Sequence, residues 1–185
     1  MGVDIHVHIC KYNIYDNFYH ELSLYRLRGE DEKYDYYDEE GNPVPAKDKY
    51  KRISPYDGRD YEMFEGMRGE DENNGYGYFP SYPIAFNSLE PNLREKVMKK
   101  KEDFGYYHFC EISFSDFVNY LHDHPTVVDY DSDKWDDWKT TDPKPQKENP
   151  LKGLFVSCVS YANFAEKFGM NEPYSRYKIL YWFDN

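Results

Sequence analysis

The sequence predicts an α+β fold in a single domain spanning residues 1–185, on three observations. The opening segment alternates apolar and polar residues as a strand does, the closing segment alternates again, and the helical stretches between them keep no regular βαβ order. In the first strand Val3, Ile5, Val7 and Ile9 fall on one side and Asp4, His6, His8 and Cys10 on the other. A second strand is expected from about His20 to Arg28, where Leu22 and Leu24 alternate with polar neighbours, and an extra hairpin over Tyr34 to Ala46, around the turn signal Glu40-Gly41-Asn42-Pro43. Tyr61, Phe64 and Met67, three apart, make Asp60 to Met67 a short helix. Pro91 opens a second helix that runs to about Asp103 and is stopped by Gly105. Tyr106 to Ile112 reads as extended, and Ser113 with Asp116 forms the start signal of a helix that places Phe114, Phe117, Val118 and Leu121 on one face. Leu154 to Val159 suits either a strand or a buried helix, and Ala162 to Phe168 continues as a helix closed by Gly169. The last strand, Tyr174 to Phe183, puts Tyr177, Ile179, Tyr181 and Phe183 on one face. A segment so rich in aromatics needs cover, so a mixed or antiparallel sheet with its first and last strands central is expected. Long loops or insertions fall at about 29–58, 69–87 and 129–150.

Composition narrows the function classes. Against 23 Lys and Arg stand 35 Asp and Glu, a net charge of −12. That balance argues against nucleic acid, whose phosphates reward basic excess, and against an anionic membrane surface. Aromatics make up 19% of the chain, with 21 Tyr and 12 Phe, so it is expected to fold rather than stay disordered. Cys10, Cys110 and Cys158 are an odd, widely spaced set, which suits a reducing cytoplasm and not a disulfide framework. No apolar run reaches the roughly 20 residues of a membrane helix. His at position 6 breaks the pattern for myristoylation of Gly2.

Asp4, His6 and His8 are the sharpest chemical signal. On one strand face, successive members stand about 6.5–7 Å apart at roughly 3.3 Å per residue, and a twisted strand can turn them toward one divalent cation. A polar, partly solvated strand face is the plainer alternative. Arg59 precedes a helix N-terminus, where the dipole disfavours a cation. An anionic ligand or a carboxylate such as Asp4 would supply its partner, and a surface Arg in a turn is the alternative. His122 and His124 flank Asp123 at the C-terminal end of a helix, where they suit the dipole, metal binding being the alternative. The runs Glu30 to Glu40 and Asp129 to Asp137 interleave carboxylates with aromatics. Tyr34, Asp35, Tyr36, Tyr37, Asp38, Glu39 and Glu40, together with Asp133, Trp135 and Trp138, are thus candidates for docking on a basic host protein surface, the alternative being solvated loops. No nucleophile elbow, Walker loop or dinucleotide glycine pattern occurs in the sequence.

The string Asp4-x-His6-x-His8 resembles the first strand of metal-dependent amidohydrolases and of the polymerase-and-histidinol-phosphatase superfamily, which implies a divalent metal. Over the whole chain, four segments taken in order resemble an uncharacterised family of bacteriophage proteins. They are Met1-Gly2-Val3-Asp4-Ile5-His6, Arg59 to Phe64 with Arg68-Gly69, Tyr107-His108-Phe109 through Phe117, and Tyr181-Trp182-Phe183-Asp184-Asn185. That family opens Met-Gly-Cys-Asp-Ile-His, so Val3 departs from it. The resemblance implies a phage origin and a polar set of Asp4, His6, Arg59, Tyr61, His108 and Asp184. The resulting expectation is a phage-type accessory protein in the host cytoplasm. It would act on a host component as an anti-defence inhibitor or as the binder of a nucleotide-like ligand. A metal-dependent phosphoesterase using Asp4, His6 and His8, with Asp184 orienting water and Arg59 neutralising phosphate charge, is the second expectation, and a virion component the third.

Overall fold

The computed structural model describes residues 4–56, 58–68, 76–103, 105–129, 144–167 and 169–184. In chain order the elements are β1 (Asp4–Asn13), β2 (Phe18–Glu21), β3 (Leu24–Leu27), β4 (Tyr34–Tyr37), β5 (Pro43–Pro45), β6 (Tyr50–Ile53), α1 (Tyr61–Arg68), β7 (Tyr82–Pro83), α2 (Pro91–Glu102), β8 (Tyr106–Ser113), α3 (Phe114–Asp123), β9 (Thr126–Val128), β10 (Gln146–Glu148), α4 (Leu151–Ala165) and β11 (Tyr177–Asp184). The chain divides into two compact units, Ser23–Ser54 and the remainder.

The larger unit is built on a five-stranded antiparallel sheet in the order β2-β1-β11-β8-β7, so the architecture is α+β with the last strand central and the first beside it. Tyr177 to Phe183 are all buried, because both faces of β11 are covered. On one face Cys10, Leu180 and Trp182 pack against Leu89 and against Leu93 and Val97 of α2. On the other, Phe183 meets Phe64 of α1 edge-on at 4.7 Å, Tyr177 stacks on Phe114 of α3 at 5.7 Å, and Phe155 of α4 packs on Phe114 and Phe117. Neighbouring residues of a strand project to opposite faces, which is how the alternating aromatics of β11 serve two layers.

Local signals explain the helix ends. Ser113 Oγ accepts the Asp116 N–H at 3.0 Å to start α3, and Glu90 accepts from Leu93 and Asn92 ahead of Pro91 to start α2. The segment left open between strand and helix is one helix, α4. Its buried residues Leu151, Leu154, Phe155, Cys158, Tyr161 and Ala162 recur every three or four positions. The strand expected over His20 to Arg28 is two strands, because β2 pairs with β1 whereas β3 pairs with β6 in the other unit. Three-residue β10 falls within the loop expected over 129–150 and pairs with β9 just before it; strands so short carry no alternation to read. Much of that loop, residues 130–143, lies outside the described residues, and with it Asp133, Trp135 and Trp138.

The smaller unit is a hairpin. β3 pairs with β6, and β4 with β5 across the expected turn, where Gly41 takes a φ of +81° that a side chain would resist. Arg28 N–H to Lys49 carbonyl and Ala46 N–H to Lys33 carbonyl carry the ladder between the two ribbons. Among the described residues of Ser23–Ser54 none is buried.

Candidate functional site

The antiparallel register of β1 on β11 sets Asp4 opposite Asp184 and His6 opposite Trp182. Asp184 uses both carboxylate oxygens on β1: Oδ1 accepts the Asp4 N–H at 3.2 Å, and Oδ2 lies 2.9 Å from His6 Nε2. The imidazole stands over Trp182 at 6.1 Å and tilts against Tyr106 at 5.5 Å. Residues 178 positions apart thus form one carboxylate–imidazole pair.

Arg59 completes the cluster. Asp60 caps α1, accepting the N–H groups of Glu62 and Met63 at 3.0 and 3.1 Å, which fixes Arg59 one residue outside the helix. Its guanidinium clasps Asp4 with two donors, Nε to Oδ1 and Nη2 to Oδ2, the second at 3.2 Å. This fork answers why a cation stands at a helix N-terminus: a neighbouring carboxylate takes its charge. The Arg59 hydrogen bond holds the Asp4 carboxyl below its ordinary value, and Asp4 in turn raises Arg59, with Tyr61 and Asp184 adding smaller fields. The cluster is open to solvent, with side-chain exposures of 36% for His6, 23% for Asp184, 40% for Asp4 and 60% for Arg59. Among the described residues His6 Nδ1 and Arg59 Nη1 make no hydrogen bond, so each pair leaves one nitrogen for an incoming group.

Four members of the expected polar set, Asp4, His6, Arg59 and Asp184, are therefore brought together, with the exposed Tyr61 beside Arg59. His108 is not with them. An extra residue in β8 opposite Trp182 forms a bulge, His108 adopts a φ of +57°, and its ring stacks on Phe183 at 5.1 Å, on the sheet face away from His6.

The expected metal set does not converge. Asp4 turns to Arg59, His6 to Asp184, and buried His8 to Glu21, with its ring stacked on Trp182 at 4.6 Å. Four residues of strand separate Asp4 from His8, about 13 Å at roughly 3.3 Å per residue, whereas ligand atoms must come within about 2 Å of a shared ion. Among the described residues no three His, Cys, Asp or Glu side chains are grouped to hold one. Sequence reading missed Glu21, which joins His8 to Lys96 at 3.1 Å, and Tyr106, whose hydroxyl accepts from Lys100 at 3.3 Å. Only strand register, not spacing along the chain, brings these residues near β1.

Of the docking candidates, Tyr34 and Tyr37 are exposed at 37% and 67%, Asp35 pairs with Arg28 at 2.6 Å, and Asp38 accepts the N–H groups of Glu40 and Asn42 to close the turn. Glu39 and Glu40 stand exposed on it, and Tyr36 lies in β4. Among the described residues no helix is long and apolar enough to cross a membrane. No known family model, curated protein or solved structure matches the chain.

Proposed function

We propose that the chain is a small accessory binding protein of phage type that acts in the host cytoplasm. Its Asp4–His6–Arg59–Asp184 cluster takes a phosphate-bearing, nucleotide-like ligand. The observation that carries this reading is the abutment of two charge-matched pairs at one end of β1 and β11, each with a nitrogen to spare. Arg59 Nη1, and His6 Nδ1 when the ring is the imidazolium, are the donors a phosphate needs, while the carboxylates, held by their own partners, remain acceptors for hydroxyl or amino groups of the same ligand. The phage origin rests on the four-segment resemblance alone.

The test is an NMR titration of the full chain with inorganic phosphate and with AMP, following the His6 ring and the Arg59 side chain. Saturable shifts with AMP, abolished by Arg59→Ala and reduced by His6→Ala, support the reading. Shifts that persist in both variants, or map elsewhere, reject it.

Hydrolysis of a phosphate ester is a second reading, favoured by the His6–Asp184 contact. A carboxylate on Nε2–H orients the ring and leaves Nδ1 as the base for a water, with Arg59 beside developing phosphate charge. Turnover of bis(p-nitrophenyl) phosphate that is lost in Asp184→Asn would separate it from binding alone.

A further inference from the structure

The row of residues that carries the ligand cluster continues onto a third strand. Asp4 on β1 lies opposite Asp184 on β11, and Asp184 in turn lies opposite Tyr106 on β8. Directly opposed residues of antiparallel strands project to the same side, as do residues two apart, so Asp4, His6, Asp184 and Tyr106 share one face at one end of the sheet. The His6 and Tyr106 rings meet there at 5.5 Å.

The last turn of α2 reaches this row. Lys100 donates to the Tyr106 hydroxyl at 3.3 Å and holds its ammonium 4.7 Å from the centre of that ring. Its nearest carboxylate, Asp103, stands 4.0 Å away, outside hydrogen-bond distance, and the Lys100 side chain is 44% exposed. Arg59 has Asp4 in contact, and His6 has Asp184. Lys100 is therefore the cation of the row whose charge is unspent, with its direction set by a neutral hydroxyl.

From the Asp4 end, where Arg59 sits, to the Tyr106 end is two strand spacings, about 9.6 Å at roughly 4.8 Å each, and two charge-assisted hydrogen bonds of about 2.8 Å leave about 4 Å between them. That gap exceeds the edge of one phosphate and suits two joined ones. The chain as a whole carries a charge of −12, so a second phosphate is repelled unless a local cation answers it.

We propose that the ligand is a nucleoside diphosphate: Arg59 and His6 meet one phosphate, and Lys100, oriented by Tyr106, meets the other. This rests on the reading of the cluster as a phosphate site and names the class of ligand that site takes.

Calorimetric titration of the full chain with AMP and with ADP tests it, in EDTA so that no metal ion masks the phosphates. The expected result is that ADP binds the wild type about tenfold more tightly than AMP, as one added charge-assisted hydrogen bond provides. Lys100→Gln should bring ADP down to the affinity of AMP and leave AMP unchanged. Lys99→Gln, which removes the same charge from the same turn, should leave the advantage of ADP in place. Arg59-dependent binding of AMP with no advantage for ADP overturns this inference alone. So does an advantage that survives Lys100→Gln, or one that falls equally in Lys99→Gln. Absence of Arg59-dependent binding by either nucleotide overturns the reading of the cluster itself, and this inference with it.

Discussion

Lys178 is the most deeply buried cation among the described residues, and removing its counter-charge has a calculable cost. Its side chain is 5% exposed, at the middle of the sheet. The ammonium donates to Glu111 Oε2 at 2.7 Å and to Ser88 Oγ at 3.0 Å, and sits 4.0 Å from the centre of the Tyr19 ring. Its three donors are thus spent on β8, on the turn before α2 and on β2. Glu111 itself also accepts the Ala85 N–H at 3.2 Å. Glu111→Ala leaves the cation desolvated with one hydroxyl and one ring, a loss of about 3–5 kcal/mol. Against a whole-protein stability on the order of 5–15 kcal/mol that is a large fraction. In urea, with a slope of roughly 2 kcal/mol per molar, the midpoint falls by about 1.5–2.5 M with the slope unchanged. The companion variant Lys178→Met with Glu111→Leu removes both charges and keeps the volume; it should return to within about 1 kcal/mol of wild type or exceed it. A single variant losing less than about 1 kcal/mol, or a double variant no better than the single, would refute the claim that an uncompensated buried charge is the cause.

Other consequences follow from the packing and pairing of the same sheet. Cys10 and Cys158 are 0% exposed, and burial pushes the Cys158 and Cys110 thiols up, so native protein should react with a thiol reagent slowly if at all, with all three groups reacting in denaturant. Asp4 is held below its ordinary 3.8, so the Asp4–Arg59 link is complete above about pH 4 and is lost as pH falls through the lowered value. The Arg59 Nε proton signal should follow that acid limb, and an Arg59 signal unchanged to pH 2 would contradict the fork. Because Leu24 pairs with Ile53, replacing residues 24–53 by a short Gly-Ser turn should leave the larger unit's cooperative unfolding intact. Loss of the β1–β11 amide protection in that deletion would show the hairpin to be part of the fold after all. Tyr181 donates its hydroxyl to the Met67 carbonyl at 3.3 Å, and Tyr181→Phe should cost about 0.5–1.5 kcal/mol by chemical denaturation.

How far the sequence carried depends on whether the signal was local. Strict alternation marked β1 and β11, and Ser113 with Asp116, Pro91, and the spacing of Tyr61, Phe64 and Met67 marked three helices within a residue or two of their observed ends, since caps and periods act within a turn of chain. The break at Leu22-Ser23 was illegible, because nothing in Leu22, Ser23 and Leu24 says that the strand changes partner. The site divides the same way. Asp4, His6 and Arg59 announced themselves by type and position, but spacing alone suggested an ion among Asp4, His6 and His8. The structure gives each residue a separate partner, Arg59, Asp184 and Glu21, because pairing across strands brings carboxylates nearer than any neighbour on the same face. His108 shows the complementary limit: the resemblance that groups it with Asp4 and His6 carries no strand register, and the bulge in β8 leaves its ring on Phe183.

That dependence on cross-strand pairing also says when the site exists. Asp184 reaches Asp4 and His6 only when β11 is seated against β1, and Arg59 reaches Asp4 only when the cap of α1 is formed. Neither contact survives in a chain that has lost the sheet, so the unfolded state has no comparable affinity for the ligand. Binding therefore adds RT ln(1 + [L]/Kd) to the stability of the whole larger unit, about 2.7 kcal/mol at a hundredfold excess over Kd. Thermal unfolding with and without AMP should then show a shift that vanishes in Arg59→Ala while the unliganded transitions stay close, since an exposed ion pair contributes little by itself. A shift of equal size in both proteins would place the ligand somewhere other than this cluster.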